Sequence, residues 1–389
     1  MKNFYTCLVV GAGPSGSSAA YTFAKNGMDV CVIDKAIFPR DKLCGGLLTR
    51  RTKQCFLDVF GTGWEDIHEC WSNGALFFHK GQMINAIENY GELFFCNRRT
   101  FDHALLEKVM AKGADVVLGD RVEGVDTTLK MCRLRSGREI RYRYLIGADG
   151  VNSVVARAVT SKGFDRNRYA FAVQAETPDV ICRQNDMILP EIYFGEVDWG
   201  YGWVFPKKNS YSVGIGALCQ KNGDVAGKFR EFYLARNSQP CSVTLKGHYI
   251  PFGNFSRNAV AKDIVIVGDA AGLVDPITGE GIAYAIESGQ YAAQAVILAS
   301  SNKNITLADE YEKYYSKITQ EIDRANMLQY YLFSRCTQGL VMTALSRSRT
   351  MPYHYMDLLS GAIDYKDLFS IIQKKAGIFG MFFRNLKTQ

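Results

Sequence analysis

The sequence is poor in several features, and each shortage removes a class of protein. It has nine prolines in 389 residues, no internal repeat and no low-complexity tract. That excludes a collagen-like, solenoid or disordered chain. No apolar run reaches the roughly 18 residues that a spanning helix requires. The eleven cysteines (Cys7, Cys31, Cys44, Cys55, Cys70, Cys96, Cys132, Cys182, Cys219, Cys241 and Cys336) form no CxxC pair. An odd number without framework spacing points to reduced thiols in a cytosol. Neither they nor His68, His79, His103, His248 and His354 show metal-ligand spacing, so no metal is expected. No dense basic block with interleaved aromatics occurs. The net charge of +7 is mild and suits an anionic substrate, an anionic lipid or a phosphorylated cofactor better than nucleic acid. Only Lys2 precedes the first apolar run, and Gly11 interrupts that run. It reads as a strand rather than a signal peptide. The C-terminal residues form neither a lipidation box nor a retention signal.

What is present is an α/β pattern. Residues 4–10 are a short apolar strand ending in Gly11-Ala12-Gly13-Pro14-Ser15-Gly16. A helix of small residues follows, stopped by Asn26-Gly27, and 29–34 form a second strand closing on Asp34. This is a βαβ unit. Residues 74–95 alternate apolar and polar and predict a small sheet. Lys80 reads as an exposed strand residue there. Residues 168–250 read as antiparallel strands. Strand 263–272 restores the α/β pattern, and a helix is expected from Glu280 to about Ser300. Tyr311, Tyr315, Ile318, Ile322 and Ala325 mark a further long helix, and the last sixty residues are basic, aromatic and helical in character. The expected architecture is a discontinuous Rossmann-like domain (1–70, 96–165 and 255–300). A β-rich substrate domain (71–95 and 166–254) is inserted into it, and a helical region (301–389) follows.

Three motifs carry chemistry. Gly11-x-Gly13-x-x-Gly16 follows a strand and opens a helix. Its glycines permit a tight turn and close approach to a pyrophosphate, which the helix N-terminus favours. Asp34 at the next strand end can accept a ribose hydroxyl. The bland alternative is a packing turn. Gly147-Ala148-Asp149-Gly150 closes another strand and, alone, is a common turn. Gly268-Asp269-Ala270-Ala271-Gly272 continues through Asp275-Pro276-Ile277-Thr278-Gly279-Glu280-Gly281-Ile282. Its carboxylate can bind a sugar-alcohol hydroxyl, and its second glycine loop can bring N–H groups and a helix dipole to an electron-rich ring.

These motifs, in this order, resemble the flavoprotein group typified by para-hydroxybenzoate hydroxylase. The resemblance covers most of residues 1–300 and implies bound FAD. No second GxGxxG is present, so NAD(P)H or another reductant would bind only transiently. Pro39-Arg40-Asp41-Lys42-Leu43-Cys44-Gly45-Gly46 is similar to the corresponding loop of geranylgeranyl reductases. Tyr201-Gly202-Trp203-Val204-Phe205-Pro206 resembles that family's YxWxFP motif, which lines an isoprenoid pocket. Flavin-dependent halogenases carry WxWxIP instead, from which Tyr201 and Phe205 depart. The resemblance places cofactor contacts on Gly11, Gly13, Ser15, Gly16, Asp34, Lys35, Cys44, Gly45, Leu47, Arg98, Val122, Asp149, Asp269, Gly279, Gly281 and Ile282. Arg98, with Arg99 beside it, matches an RxxFD pattern. Tyr201, Trp203, Phe205 and Pro206 form the expected substrate pocket, with ordinary sheet core as the alternative.

Cys44 has two readings. It is a group that positions or protonates the reacting alkene, with Arg40 and Lys42 near enough to lower its pKa, or a small residue packed under the flavin. The expected reaction is reduction of C=C bonds in an isoprenoid chain by reduced flavin. Two alternatives stand beside it: a monooxygenase acting on a small aromatic or polyketide substrate, and a non-catalytic flavin-bound redox sensor. The expected location is the cytoplasm. There the basic and apolar tail from Lys374 through Arg384 would contact the inner membrane face, with packing against the enzyme body as the alternative.

Overall fold

A computed structural model describes residues 2–160, 165–177, 183–184, 187–237, 241 and 243–375. The tail proposed above to meet a membrane lies outside them beyond Lys375.

The strand Phe4–Val10 is the axis of the first sheet. Val30–Asp34 and then Asp115–Leu118 pair parallel on one side. Glu139–Gly147 and then Ile264–Ile266 pair parallel on the other. Val30–Asp34 is buried along its whole length, as a parallel strand covered on both faces must be. An antiparallel meander, Val122–Asp126 and Met131–Leu134, attaches to the start of Glu139–Gly147. Because these strands run parallel, Val10, Asp34, Gly147 and Ile266 end at the same edge. That edge is where ligands bind in open α/β sheets.

Small residues let two helices meet behind this edge. Pro14–Lys25 crosses Ile282–Ser301 so closely that a Cβ on Gly289 would stand 2.1 Å from the Ser15 carbonyl oxygen. Ser18 Oγ donates to the Ile286 carbonyl at 2.7 Å. A start at Ile282 rather than Glu280 frees the Glu280 carboxylate to accept from the Ala283 N–H as a cap.

The second sheet has seven strands, in the order Lys246–Ile250, Ala170–Thr177, Tyr211–Leu218, Gly200–Pro206, Glu191–Phe194, Ala75–His79 and Gln82–Ile87. The strands expected over 168–250 pair antiparallel with one another. Glu191–Phe194 and Ala75–His79 run parallel, where two separate chain pieces join. One expectation is corrected: Val225–Asn237 is a helix, not a strand. Val225, Phe229, Phe232 and Tyr233 recur at helical spacing and pack on Val173, Val213 and Ile215 across the outer face of the sheet.

The single sheet expected over 74–95 also divides. Its first two strands form a hairpin of the seven-stranded sheet. Leu93–Phe95 instead pairs with Leu47–Leu48 and Cys70–Ser72 in a small third sheet. Lys80 is exposed but lies in the hairpin turn with φ +51°, not in a strand.

The C-terminal region is helical: Leu307–Phe333, Gln338–Arg347, Met351–Ser360 and Tyr365–Lys375. The first of these joins the two cores. Tyr311, Tyr315, Ile318 and Ile322 enter the core of the parallel sheet, whereas Ala325, Leu328, Leu332 and Phe333 enter that of the seven-stranded sheet.

Candidate active site

A cleft of about 780 Å³ lies between the carboxyl edge of the parallel sheet and the inner face of the seven-stranded sheet. One half is polar and built on glycine loops. Gly11 has φ +104°, and a Cβ there would stand 2.2 Å from the Ala148 carbonyl oxygen, so only glycine fits. The Asp34 carboxylate shapes the next turn, accepting from Ala12 N–H and Ala36 N–H, each at 2.8 Å. Lys35, Arg121 and Val122 line the same end.

Asp102 is a hub beneath this half. It is fully buried on the helix Arg98–Ala111 and accepts from Arg98 at 2.7 and 2.9 Å and from Arg40 at 2.9 Å. A buried carboxylate so paired aims two guanidinium groups at one wall of the cleft. Arg40 also leaves a buried Nη1 with no acceptor among the described residues, while its Nη2 lies against Gly13. An unmatched cationic donor beside a glycine loop and a helix N-terminus fits a diphosphate anion. The residues present therefore suit the diphosphate of FAD.

Asp149 turns its carboxylate away from such a role. It caps the helix Val154–Thr160, accepting from Ser153 Oγ and from Val154 N–H at 2.6 Å. Burial pushes its pKa up, and those hydrogen bonds partly oppose the rise. Asp269, half-buried at the end of Ile264–Ile266, faces Lys42 and His248. Lys42 Nζ lies 3.1 Å from His248 Nε2. Burial, then the Lys42 charge, lowers the His248 pKa to about 4. Burial likewise lowers the Lys42 pKa, against the pull of Asp269.

The other half of the cleft is apolar. Tyr201, Trp203 and Phe205 alternate with Gly202 and Val204 on Gly200–Pro206, so the three rings share the inner face. The two reductase-like motifs meet there: a Cβ on Gly45 would stand 2.8 Å from Phe205 Cδ2 and 3.2 Å from Trp203 Nε1. Tyr201 OH donates to the Thr278 carbonyl at 2.7 Å, directly over Gly279. Buried Asp275 pins this loop, accepting from Ile277 N–H, Thr278 N–H and Tyr365 OH at 2.7, 2.9 and 2.6 Å. Glu280 ties the loop to the helix Arg50–Phe60 by accepting from Thr49 Oγ1 at 3.1 Å.

Cys44 is half-buried at the junction of the two halves, and its Sγ accepts from Gly46 N–H at 3.3 Å. Arg40 pairs with Asp102 and Lys42 with His248, so each basic neighbour has a partner of its own.

The cleft gathers Gly11, Gly13, Ser15, Asp34, Lys35, Cys44, Gly45, Leu47, Arg98, Val122, Asp149, Asp269, Gly279, Gly281, Ile282, Tyr201, Trp203 and Phe205. Two residues expected there do not line it. Gly16 is a packing glycine, whose Cβ would collide with the Gly11 carbonyl oxygen at 1.8 Å. Pro206 ends its strand opposite Tyr211. Two others arrive without a motif: Tyr355 and Leu359, four apart on Met351–Ser360, close the apolar half. Asp102 was visible only as the last residue of the RxxFD pattern.

Glycine loops at a parallel-sheet edge, a carboxylate after the second strand and a second loop some 260 residues later define a flavoprotein oxidoreductase with FAD as its cofactor. An FAD-binding domain family model matches residues 5–212. The chain belongs to that family and, within it, to the geranylgeranyl reductase group of FAD-dependent oxidoreductases. It is 34% identical to an uncharacterized protein of Methanosarcina barkeri, over 84% of this chain and 82% of the relative. It is 30% identical to a digeranylgeranylglycerophospholipid reductase of Methanosarcina acetivorans, over 82% of each chain. In fold it is similar to a geranylgeranyl bacteriochlorophyll reductase-like protein of Thermoplasma acidophilum. That match has a TM-score of 0.80 and 23% identity, and covers 96% of this chain and 99% of the other.

Proposed function

We propose that this protein saturates C=C bonds of an isoprenoid chain. The observation that carries the reading is the seating of Gly45 on Trp203 and Phe205. It makes an aromatic, apolar pocket continuous with the loops expected to hold the flavin. FAD, reduced by NAD(P)H or a similar donor, supplies the hydride. The glycine loop, Arg40, Arg98 and Asp34 hold its adenosine diphosphate portion, and Asp269 and Thr278–Ile282 hold the remainder. The apolar wall aligns the alkene and excludes water, both of which an unactivated double bond needs.

The substrate's location fits the surface beside the cleft. Between Arg324 and Met356 the chain has no acidic residue. Leu340, Tyr353, Arg347 and Arg349 are exposed there. Tyr353 shares its helix with the cleft-lining Tyr355. A basic surface with exposed apolar side chains suits an anionic membrane face from which a lipid enters. No helix among the described residues is long and apolar enough to cross a membrane. We place the enzyme at the cytoplasmic face, where the unpaired cysteines among the described residues stay reduced.

The test is mass spectrometry of a geranylgeranyl ether lipid incubated with the purified protein, FAD and excess reductant. Stepwise gain of two hydrogens is the expected result. Gain of an oxygen atom would establish the monooxygenase alternative. FAD that no donor reduces would mark a non-catalytic sensor.

A further inference from the structure

Saturating an alkene takes a proton as well as a hydride, and the flavin and substrate end of the cleft has few groups to give one. The titratable side chains lining it are Lys42, Cys44, Tyr201, Lys246, His248, Tyr249, Asp269, Glu280 and Tyr355. Most are committed elsewhere. Lys42 is held on His248 and faces Asp269, and Lys246 donates to Asp41. Tyr201 OH donates to the Thr278 carbonyl. Glu280 accepts from Thr49 and Ala283 at the helix start. The His248 ring is held by Lys42 and by the Tyr249 carbonyl. Tyr249 places its ring against Phe171, which packs with the outer core.

Two donors remain, Cys44 and Tyr355. Cys44 belongs to the loop on the flavin side. Tyr355 comes from a different wall, the helix Met351–Ser360. Its ring is wedged edge-on between Phe77 and Phe194, with centroids 5.6 and 5.9 Å away and planes near 89° to both. Its hydroxyl makes no hydrogen bond among the described residues, yet it is not sealed off, because the residue faces the cleft. A fixed ring with an uncommitted hydroxyl is the arrangement a positioned acid requires.

We propose that Tyr355 is the proton donor of the reaction, an inference that rests on the alkene-reductase reading above. In the balanced step the C=C π bond breaks. One carbon gains a hydride, two electrons and a hydrogen, from reduced FAD, which is thereby oxidised. The other carbon gains the Tyr355 hydroxyl proton, and the resulting tyrosinate recovers a proton from water. Burial, then the nearby Tyr201 and Asp275, raises the Tyr355 pKa well above the ordinary tyrosine value, which keeps the hydroxyl protonated between turnovers.

Tyr355→Phe keeps the ring and its packing and removes only the proton. In the full-length protein, single-turnover saturation of a geranylgeranyl ether lipid by pre-reduced FAD is expected to fall about a hundredfold. KM, FAD affinity and the rate of FAD reduction by dithionite should stay within about twofold, since no binding contact is lost. A raised KM with kcat unchanged would make Tyr355 a wall residue and overturn the proposal. So would a hundredfold loss in Cys44→Ala with Tyr355→Phe unaffected, which assigns the proton to the thiol. A wild-type protein that saturates no isoprenoid would overturn the parent reading, and this role with it.

Discussion

The two halves of the cleft are made by different means. The polar half is backbone: glycine turns at ends of parallel strands, braced by Asp34 and by the Arg40–Asp102–Arg98 cluster. The apolar half is side chains from distant segments, Gly45 against Trp203 and Phe205, with Tyr355 and Leu359 laid across from the C-terminal helices. A cofactor common to many enzymes needs a rigid, stereotyped socket. A substrate that differs between enzymes needs a wall whose shape changes by swapping rings. The comparison breaks if a change in one half disturbs the function of the other.

The largest expected effect is in the polar half. Asp102→Ala leaves two guanidinium groups in a poorly hydrated place without their carboxylate. A broken buried pair of this kind costs about 3–5 kcal/mol. Urea unfolding should show the loss directly, and the purified protein should retain little FAD. A variant of wild-type stability and full flavin content would show that Asp102 is not the brace of this half.

Arg40→Met comes next and separates binding from folding. Arg40 keeps one ion pair and presents one unmatched buried donor, so its removal should spare the fold but weaken FAD binding. A charge-assisted hydrogen bond is worth about 1.5–3 kcal/mol, or roughly ten- to a hundredfold in Kd. Flavin fluorescence titration measures it, and an unchanged Kd would remove Arg40 from the diphosphate site.

Leu359→Ala addresses the apolar half. Leu359 is buried, with one side on the cleft, so the cost should lie near the lower end of the range for such truncations, about 2 kcal/mol. FAD affinity should hold within about twofold while KM for the lipid rises several-fold. Loss of FAD binding with KM preserved would erase the distinction between the halves.

The same division governs what the sequence discloses. The polar half is local: strand, glycine turn, helix and carboxylate fall within thirty-odd residues, and the continuous apolar run that buries Val30–Asp34 is legible without a partner. One placement differs: Gly16 belongs to packing rather than to the cleft, and Asp149 lines the cleft while its carboxylate caps a helix, because motif spacing does not say which way an atom faces. The apolar half is tertiary. Tyr201, Trp203 and Phe205 were marked by a motif, but Tyr355 and Leu359 sit in an amphipathic helix like many others. Only the docking of Met351–Ser360 gives them a role. The helix Val225–Asn237 is hidden in the sequence because a β-rich neighbourhood outweighs its own i, i+3, i+4 pattern.

The smallest effect expected is a pH dependence in the second loop, which joins the two halves. Burial raises the pKa of both Asp275 and Glu280 above the ordinary carboxyl values, with hydrogen bonds from the loop working against the rise. A carboxyl whose folded pKa exceeds its unfolded pKa binds more protons when folded. Its contribution to stability is complete below the unfolded pKa and is lost as pH rises through the folded pKa. Going from neutral pH toward pH 5, each group should therefore add stability, opposite in sign to an ordinary ion-paired carboxylate. Glu280→Gln keeps the size, offers its one acceptor oxygen to the Ala283 N–H and can turn its NH2 to donate to the Thr49 hydroxyl, but cannot titrate. Urea midpoints at intervals between pH 5 and 8 should rise toward acid in the wild-type protein and rise less steeply in the variant. If the variant's slope equals the wild type's, Glu280 is ionised in the folded state across that range. The junction of the halves would then be held by a buried charge rather than by a neutral acid.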